Sequence, residues 1–98
     1  MFSLRDYEGL MFLQEARLGG VRGSADLRWR RRTLSNRDWR GTFVFEPEDE
    51  CAIADLVDGH RSTTYEALID GQPKKLSVKV TAFSPIGVAF FEGSGEPY

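Results

Sequence analysis

Four segments of this chain alternate apolar and polar residues at period two, and turn-forming residues separate them. Ala25, Leu27 and Trp29 alternate with Asp26, Arg28 and Arg30, and Trp39, Gly41, Phe43 and Phe45 alternate with Arg40, Thr42 and Val44. Tyr65, Ala67 and Ile69 alternate with Thr64, Glu66 and Leu68, and Leu76, Val78, Val80 and Ala82 with Lys75, Ser77, Lys79 and Thr81. Successive side chains of a strand point to opposite faces, so this pattern predicts strands with one buried and one wet face. Turn signals fall at Gly19-Gly20, Ser35-Asn36, Asp58-Gly59, Asp70-Gly71 and Ser84-Pro85. The expected fold is all-β and mainly antiparallel, a small β-barrel or two-layer sandwich of about six strands with room for one short helix.

Two segments read both ways. Leu4 to Leu18 fits a helix ended by Gly19, or a short helical or irregular start followed by a strand from Leu10 to Leu18. Pro47-Glu48-Asp49-Glu50 ahead of Ile53, Leu56, Val57 and Gly59 has the grammar of a helix, with proline and acids in the first turn and glycine after the end. Its rival is a strand from Cys51 to Val57. Val88-Ala89-Phe90-Phe91 is apolar on both faces, which suits a central strand or an interface. Residues 93–98 read as a loose tail on a single domain spanning 1–98.

Parity sharpens the second hairpin. Trp29 and Leu27 share a face with Phe43 and Phe45 only if paired residue numbers sum to an even number, which demands an odd-length loop around Ser35 to Arg37. A one-residue slip would bury arginines. On the neighbouring hairpin, pairing Glu15 with Arg28 and Arg17 with Asp26 would match opposite charges.

The net charge of −2 hides an uneven distribution. Residues 17–40 hold eight arginines against Asp26 and Asp38, a net +6, whereas residues 41–70 hold eight carboxylates against Arg61, a net −7. Hydrophobic content of 41% and charged content of 29% are those of a globular chain. The apolar run Leu10 to Leu13 is too short for an export signal or a membrane span, and a lone Cys51 precludes an internal disulfide. A soluble cytoplasmic protein with no membrane partner is expected.

The arginines carry the main functional expectation. On a strand, Arg28, Arg30 and Arg32 would project from one face, and Arg40 would join them across the hairpin. With Arg37 they form the candidate anion-binding set, because guanidinium forks suit carboxylates and phosphates. The bland alternative is a solvated face neutralised by Glu15, Glu46 and the run Glu48 to Glu50. Trp29 and Trp39 lie in phase with the apolar faces of their strands, which suits core packing better than base stacking.

Other chemistry finds little footing. Reactive cysteines sit among positive groups, whereas Cys51 follows three acids; a helix beginning at Pro47 would argue the other way. His60 occupies a turn. One histidine and one cysteine do not make a zinc site, the acidic run lacks the EF-hand spacing, and Gly19-Gly20-Val21-Arg22-Gly23 lacks a phosphate-loop pattern. No cofactor or metal is expected. The leading expectation is a non-enzymatic binding or adaptor module whose arginine face meets an acidic protein partner. A self-assembling protein held through Val88, Phe90 and Phe91 is the first rival, and a barrel binding single-stranded nucleic acid is the second.

Overall fold

The computed structural model describes residues 8–9, 13–33 and 36–98. The strands among them are β1 (Glu8–Gly9), β2 (Gln14–Leu18), β3 (Val21–Arg31), β4 (Arg37–Val44), β5 (Thr63–Ile69), β6 (Gln72–Ser84) and β7 (Val88–Ser94). A 3-10 turn at Pro47–Asp49 leads into helix α1 (Glu50–Gly59). Six strands close into an antiparallel barrel in the circular order β3-β2-β5-β6-β7-β4, and β1 adds two residues beside β3. The barrel is thus two three-stranded meanders, β2–β4 and β5–β7, joined along two seams. The β4–β7 seam is seven residue pairs long, and the β2–β5 seam is two. Any structure of Leu4 to Tyr7, Leu10 to Phe12, Leu34 and Ser35 lies outside the described residues; within the ambiguous start, Glu8–Gly9 and Gln14–Leu18 are strand.

Parity holds in the β3–β4 hairpin. Ala25 pairs with Phe43, Leu27 with Gly41 and Trp29 with Trp39, and Arg31 faces Arg37, leaving five residues to connect the strands. The β2–β3 register differs from the charge-matched one. Gly19 and Gly20 both take positive φ, 57° and 85°, forming a two-residue turn that sets Leu18 opposite Val21. Arg17 therefore faces Arg22 and Glu15 faces Ser24. Each partner is displaced by four residues from the expected one. A tight turn fixes register more firmly than surface ion pairs, which contribute about 1 kcal/mol or less.

The inward phase of each strand fills the barrel. Trp39, Phe43, Tyr65, Leu76, Val78 and Phe91 are essentially inaccessible, and Tyr65 stacks on Phe91 with ring centroids 4.8 Å apart. Gly41 belongs to this phase because a Cβ there would collide with the Asp26 carbonyl oxygen and the Phe91 ring. The helical reading of Pro47 to Gly59 is the one observed. Ile53 of α1 is buried, Leu56 and Val57 pack on the core, and His60 takes the left-handed capping position in place of Gly59.

Three further expectations need correction. Ala82 is not in the inward phase of β6: a bulge between Val80 and Ala82 turns Ala82 outward and brings Phe83 toward the core. Phe91, expected at an oligomer interface, points into the barrel and is 1% exposed, since β7 alternates like any strand between two neighbours. The tail is tied down. Gly95 N–H donates to the Arg37 carbonyl, and the Tyr98 and Lys75 backbones exchange hydrogen bonds of 2.9 and 2.7 Å. It continues the line of β7 along β6, where unpaired backbone groups of β6 receive it.

Candidate anion-binding groove

A groove of about 700 Å³ opens on the outer face of β3, β4, β7 and β6. Its lining includes Arg30, Arg32, Arg40 and Lys79, with Asp38 and Glu92 among them. Ser62, Ser77 and Ser94 also line it. Four cations against two carboxylates leave the groove positive on a chain of net charge −2.

Strand register explains how residues distant in sequence converge. Arg28 pairs with Arg40, Arg40 with Glu92 and Glu92 with Lys79, so these four side chains form one row across the sheet. The next row toward the β3–β4 connection holds Arg30, Asp38 and Ser94. Outward phase puts all of these side chains on the wet face.

Of the four cations, Arg30 is held firmly and the others more loosely. Asp38 Oδ2 accepts from Arg30 Nε and Nη2 at 3.2 and 2.7 Å, and Asp38 Oδ1 lies 3.6 Å from Arg32 Nη1. Arg40 reaches Glu92 at 3.8 Å. Lys79 stands across from Glu92 and makes no salt bridge among the described residues. The Arg32 and Arg40 side chains remain 60% and 50% exposed. Among the described residues, the carboxylates that pair with these arginines are Asp38 and Glu92, whereas the expectation was Glu15, Glu46 and Glu48 to Glu50.

Of the five candidate arginines, Arg30, Arg32 and Arg40 line the groove, and Arg28 adjoins it in the Arg40 row. Arg37 does not reach this face. It lies in the phase of Trp39, two residues away, and faces inward at 6% exposure. Its guanidinium donates to Asp70 at 2.8 and 3.3 Å and to Glu96 at 3.0 and 3.3 Å. It also lies 4.4 Å from the Trp39 ring centroid and 5.1 Å from that of Trp29. The Asp70 bond, opposed by burial, raises the Arg37 pKa; the same bond holds the Asp70 carboxyl below the ordinary range.

Both tryptophans serve the core. Trp39 is 1% exposed and its indole N–H donates to the Gly95 carbonyl at 2.7 Å, while Trp29 packs on the core beneath Arg31 and Arg37. Cys51 and His60 are exposed on α1 and at its cap, and neither lines the groove. Among the described residues, no group of three or more His, Cys, Asp or Glu side chains is placed to hold a metal ion.

Lys79 and the three serines were missed by sequence reasoning. Lys79 was legible as an outward residue of β6, but nothing local announced that β7 would seat β6 beside the arginine hairpin. No protein-family model, characterised protein or solved structure matches the chain.

Proposed function

We propose that the protein is a non-enzymatic binding module whose groove receives an acidic segment of a protein partner. The observation that carries this reading is the convergence of Arg30, Arg32, Arg40 and Lys79 in one open concavity alongside serine hydroxyls. The Arg30 fork is oriented by Asp38, and the half-exposed Arg32 and Arg40 side chains beside it can turn toward a ligand carboxylate. Nucleic acid fits less well. Single strands bind by stacking on exposed aromatic rings as well as by charge. Here Trp39 is inside the barrel and Trp29 lies under two guanidinium groups.

Fluorescence anisotropy tests the reading. A labelled glutamate-rich peptide and a single-stranded DNA of equal charge are titrated at low and physiological salt against wild type and Arg32→Glu/Arg40→Glu. Both substituted side chains are half exposed, and circular dichroism checks the fold. Peptide binding should weaken with salt and fall at least about tenfold in the variant. Absence of peptide binding at low salt defeats the proposal. DNA binding that exceeds peptide binding and depends on the same arginines transfers the groove to nucleic acid.

A further inference from the structure

The cationic rows do not end at bare polar sheet. One row below Arg28–Arg40–Glu92–Lys79, toward the β6–β7 turn, the same face carries Asp26, Thr42, Phe90 and Ala82 as cross-strand neighbours. Below that lie Val44 and Val88, paired with each other, and the turn itself presents Ile86. Phe90 is 44% exposed, Val44 38% and Ile86 86%. The β6 bulge contributes by turning Ala82 outward beside Phe90, while Phe83 goes inward. The outer face is therefore cationic toward the β3–β4 connection and carries an apolar strip of Phe90, Val44, Val88 and Ile86 toward the β6–β7 turn, flanked by Asp26, Ser24 and Ser84.

Resting on the binding role proposed above, the geometry points to one occupant for both halves: an extended acidic segment that also carries a large apolar side chain. Rows of a sheet are two residues apart, about 6.6–6.8 Å, and an extended peptide repeats its sheet-facing side chains at the same interval. An apolar residue over Phe90 sets the residue two positions on at the Arg40–Lys79 row. The residue four positions on meets the Arg30 row and Arg32. The motif that fits is apolar–x–acid–x–acid. Charge complementarity fixes the acids, and the exposed Phe90 ring fixes the apolar position.

A second copy of the chain fits worse. Pairing this face with itself about a two-fold axis sets cationic rows against each other or over the apolar strip. The strip alone offers five side chains, Val44, Ala82, Ile86, Val88 and Phe90, against about 20–30 residues a side in a stable interface. Phe91, which would have enlarged it, is inside the barrel.

The test uses the full chain and labelled peptides Phe-Ser-Glu-Ser-Glu-Ser and Ser-Ser-Glu-Ser-Glu-Ser, with wild type, Phe90→Ser and Lys79→Glu. Both substitutions are at exposed positions, and thermal melts confirm folding. The phenylalanine peptide should bind wild type about tenfold more tightly than the serine peptide. Phe90→Ser should close that gap without weakening the serine peptide, and Lys79→Glu should weaken both. Equal affinities in wild type, or a gap that survives Phe90→Ser, overturn the inference and leave the acidic-ligand reading intact. Binding that ignores salt and Lys79→Glu but needs Phe90 overturns that reading instead, and absence of binding overturns both. A concentration-dependent dimer in gel filtration that disappears in Phe90→Ser assigns the strip to a second copy.

Discussion

Replacing Arg37 with alanine removes a junction between three parts of the chain: the start of β4, the β5–β6 turn through Asp70, and the tail through Glu96. The magnitude follows from what each contact is worth in its surroundings. Arg37 is 7% exposed at the side chain, but Asp70 and Glu96 are 59% and 44% exposed, so water screens both pairs and takes over when the cation is removed. Each pair is therefore credited with no more than about 1 kcal/mol. Guanidinium stacking on Trp39 and Trp29 adds about 0.5–2 kcal/mol. The aliphatic stem buried over Trp39 adds about 1 kcal/mol. Arg37→Ala should cost about 2–4 kcal/mol, a fall in melting temperature on the order of 10–25 °C for a domain of this size. Arg37→Met keeps the stem and should lose about 1 kcal/mol less. Urea unfolding followed by tryptophan fluorescence measures both, and a double-mutant cycle with Glu96→Gln isolates the tail contact. If Arg37→Ala costs less than about 0.5 kcal/mol, as an ordinary surface change does, the junction contributes nothing and the reasoning fails.

Further predictions concern pH and packing. Because Arg37 depresses the Asp70 pKa in the folded state, the stability this pair supplies is present above the ordinary aspartate value near 3.9 and declines as pH falls below it. Asp70→Asn should flatten that acid limb in pH-dependent melts. Burial pushes Tyr65 up to about 12, and its hydroxyl has no hydrogen-bond partner among the described residues; the nearby Gln14 amide only tempers the shift. A raised folded pKa contributes stability that is full below about 10 and lost as pH rises toward the folded value. Tyr65→Phe should remove this alkaline limb and stabilise the protein at neutral pH by about 0.5–1 kcal/mol, read by urea unfolding at pH 7 and by absorbance titration of tyrosinate. Gly41→Ala should destabilise by about 1–3 kcal/mol through overpacking against Phe91 and the Asp26 carbonyl, and a thermal shift within about 2 °C would contradict the close approach described.

What the sequence made legible was what depends on phase along one strand. Alternation identified the inward residues of β3, β4 and β5, and parity fixed how Trp29 meets Trp39. The same rule would have excluded Arg37 from the outward set, since it stands two residues from Trp39. The bulge in β6 was hidden because Thr81 and Ala82 suit either face. Charge matching misled the β2–β3 register because the two glycines of the turn decide it. The groove was half legible. Its arginines declared themselves, whereas Lys79 and Ser77 joined through the pairing of β7 with both β4 and β6. That pairing brings residues far apart in sequence together, and no local pattern encodes it. Phe90 stood out as part of a run apolar on both faces, but its exposure and its place beside the arginine rows came only with the register.

The inequality of the two seams gives the barrel a weak side. Along β4–β7 the meanders are zipped by seven residue pairs, but among the described residues β2 and β5 pair at Arg17–Glu66 and Leu18–Tyr65, with the Gly19 N–H donating to the Thr64 carbonyl at 2.9 Å at one end and Gln14 Nε2 to the Leu68 carbonyl at 3.0 Å at the other. Breathing motions should therefore begin as a parting of β2 from β5. Backbone amides of β5 directed at β2 should exchange with solvent well before those shared by β4 and β7. The groove straddles the strong side, so a ligand lodged there would not have to wait for the wall to close, and its floor would stay whole while the far side opens.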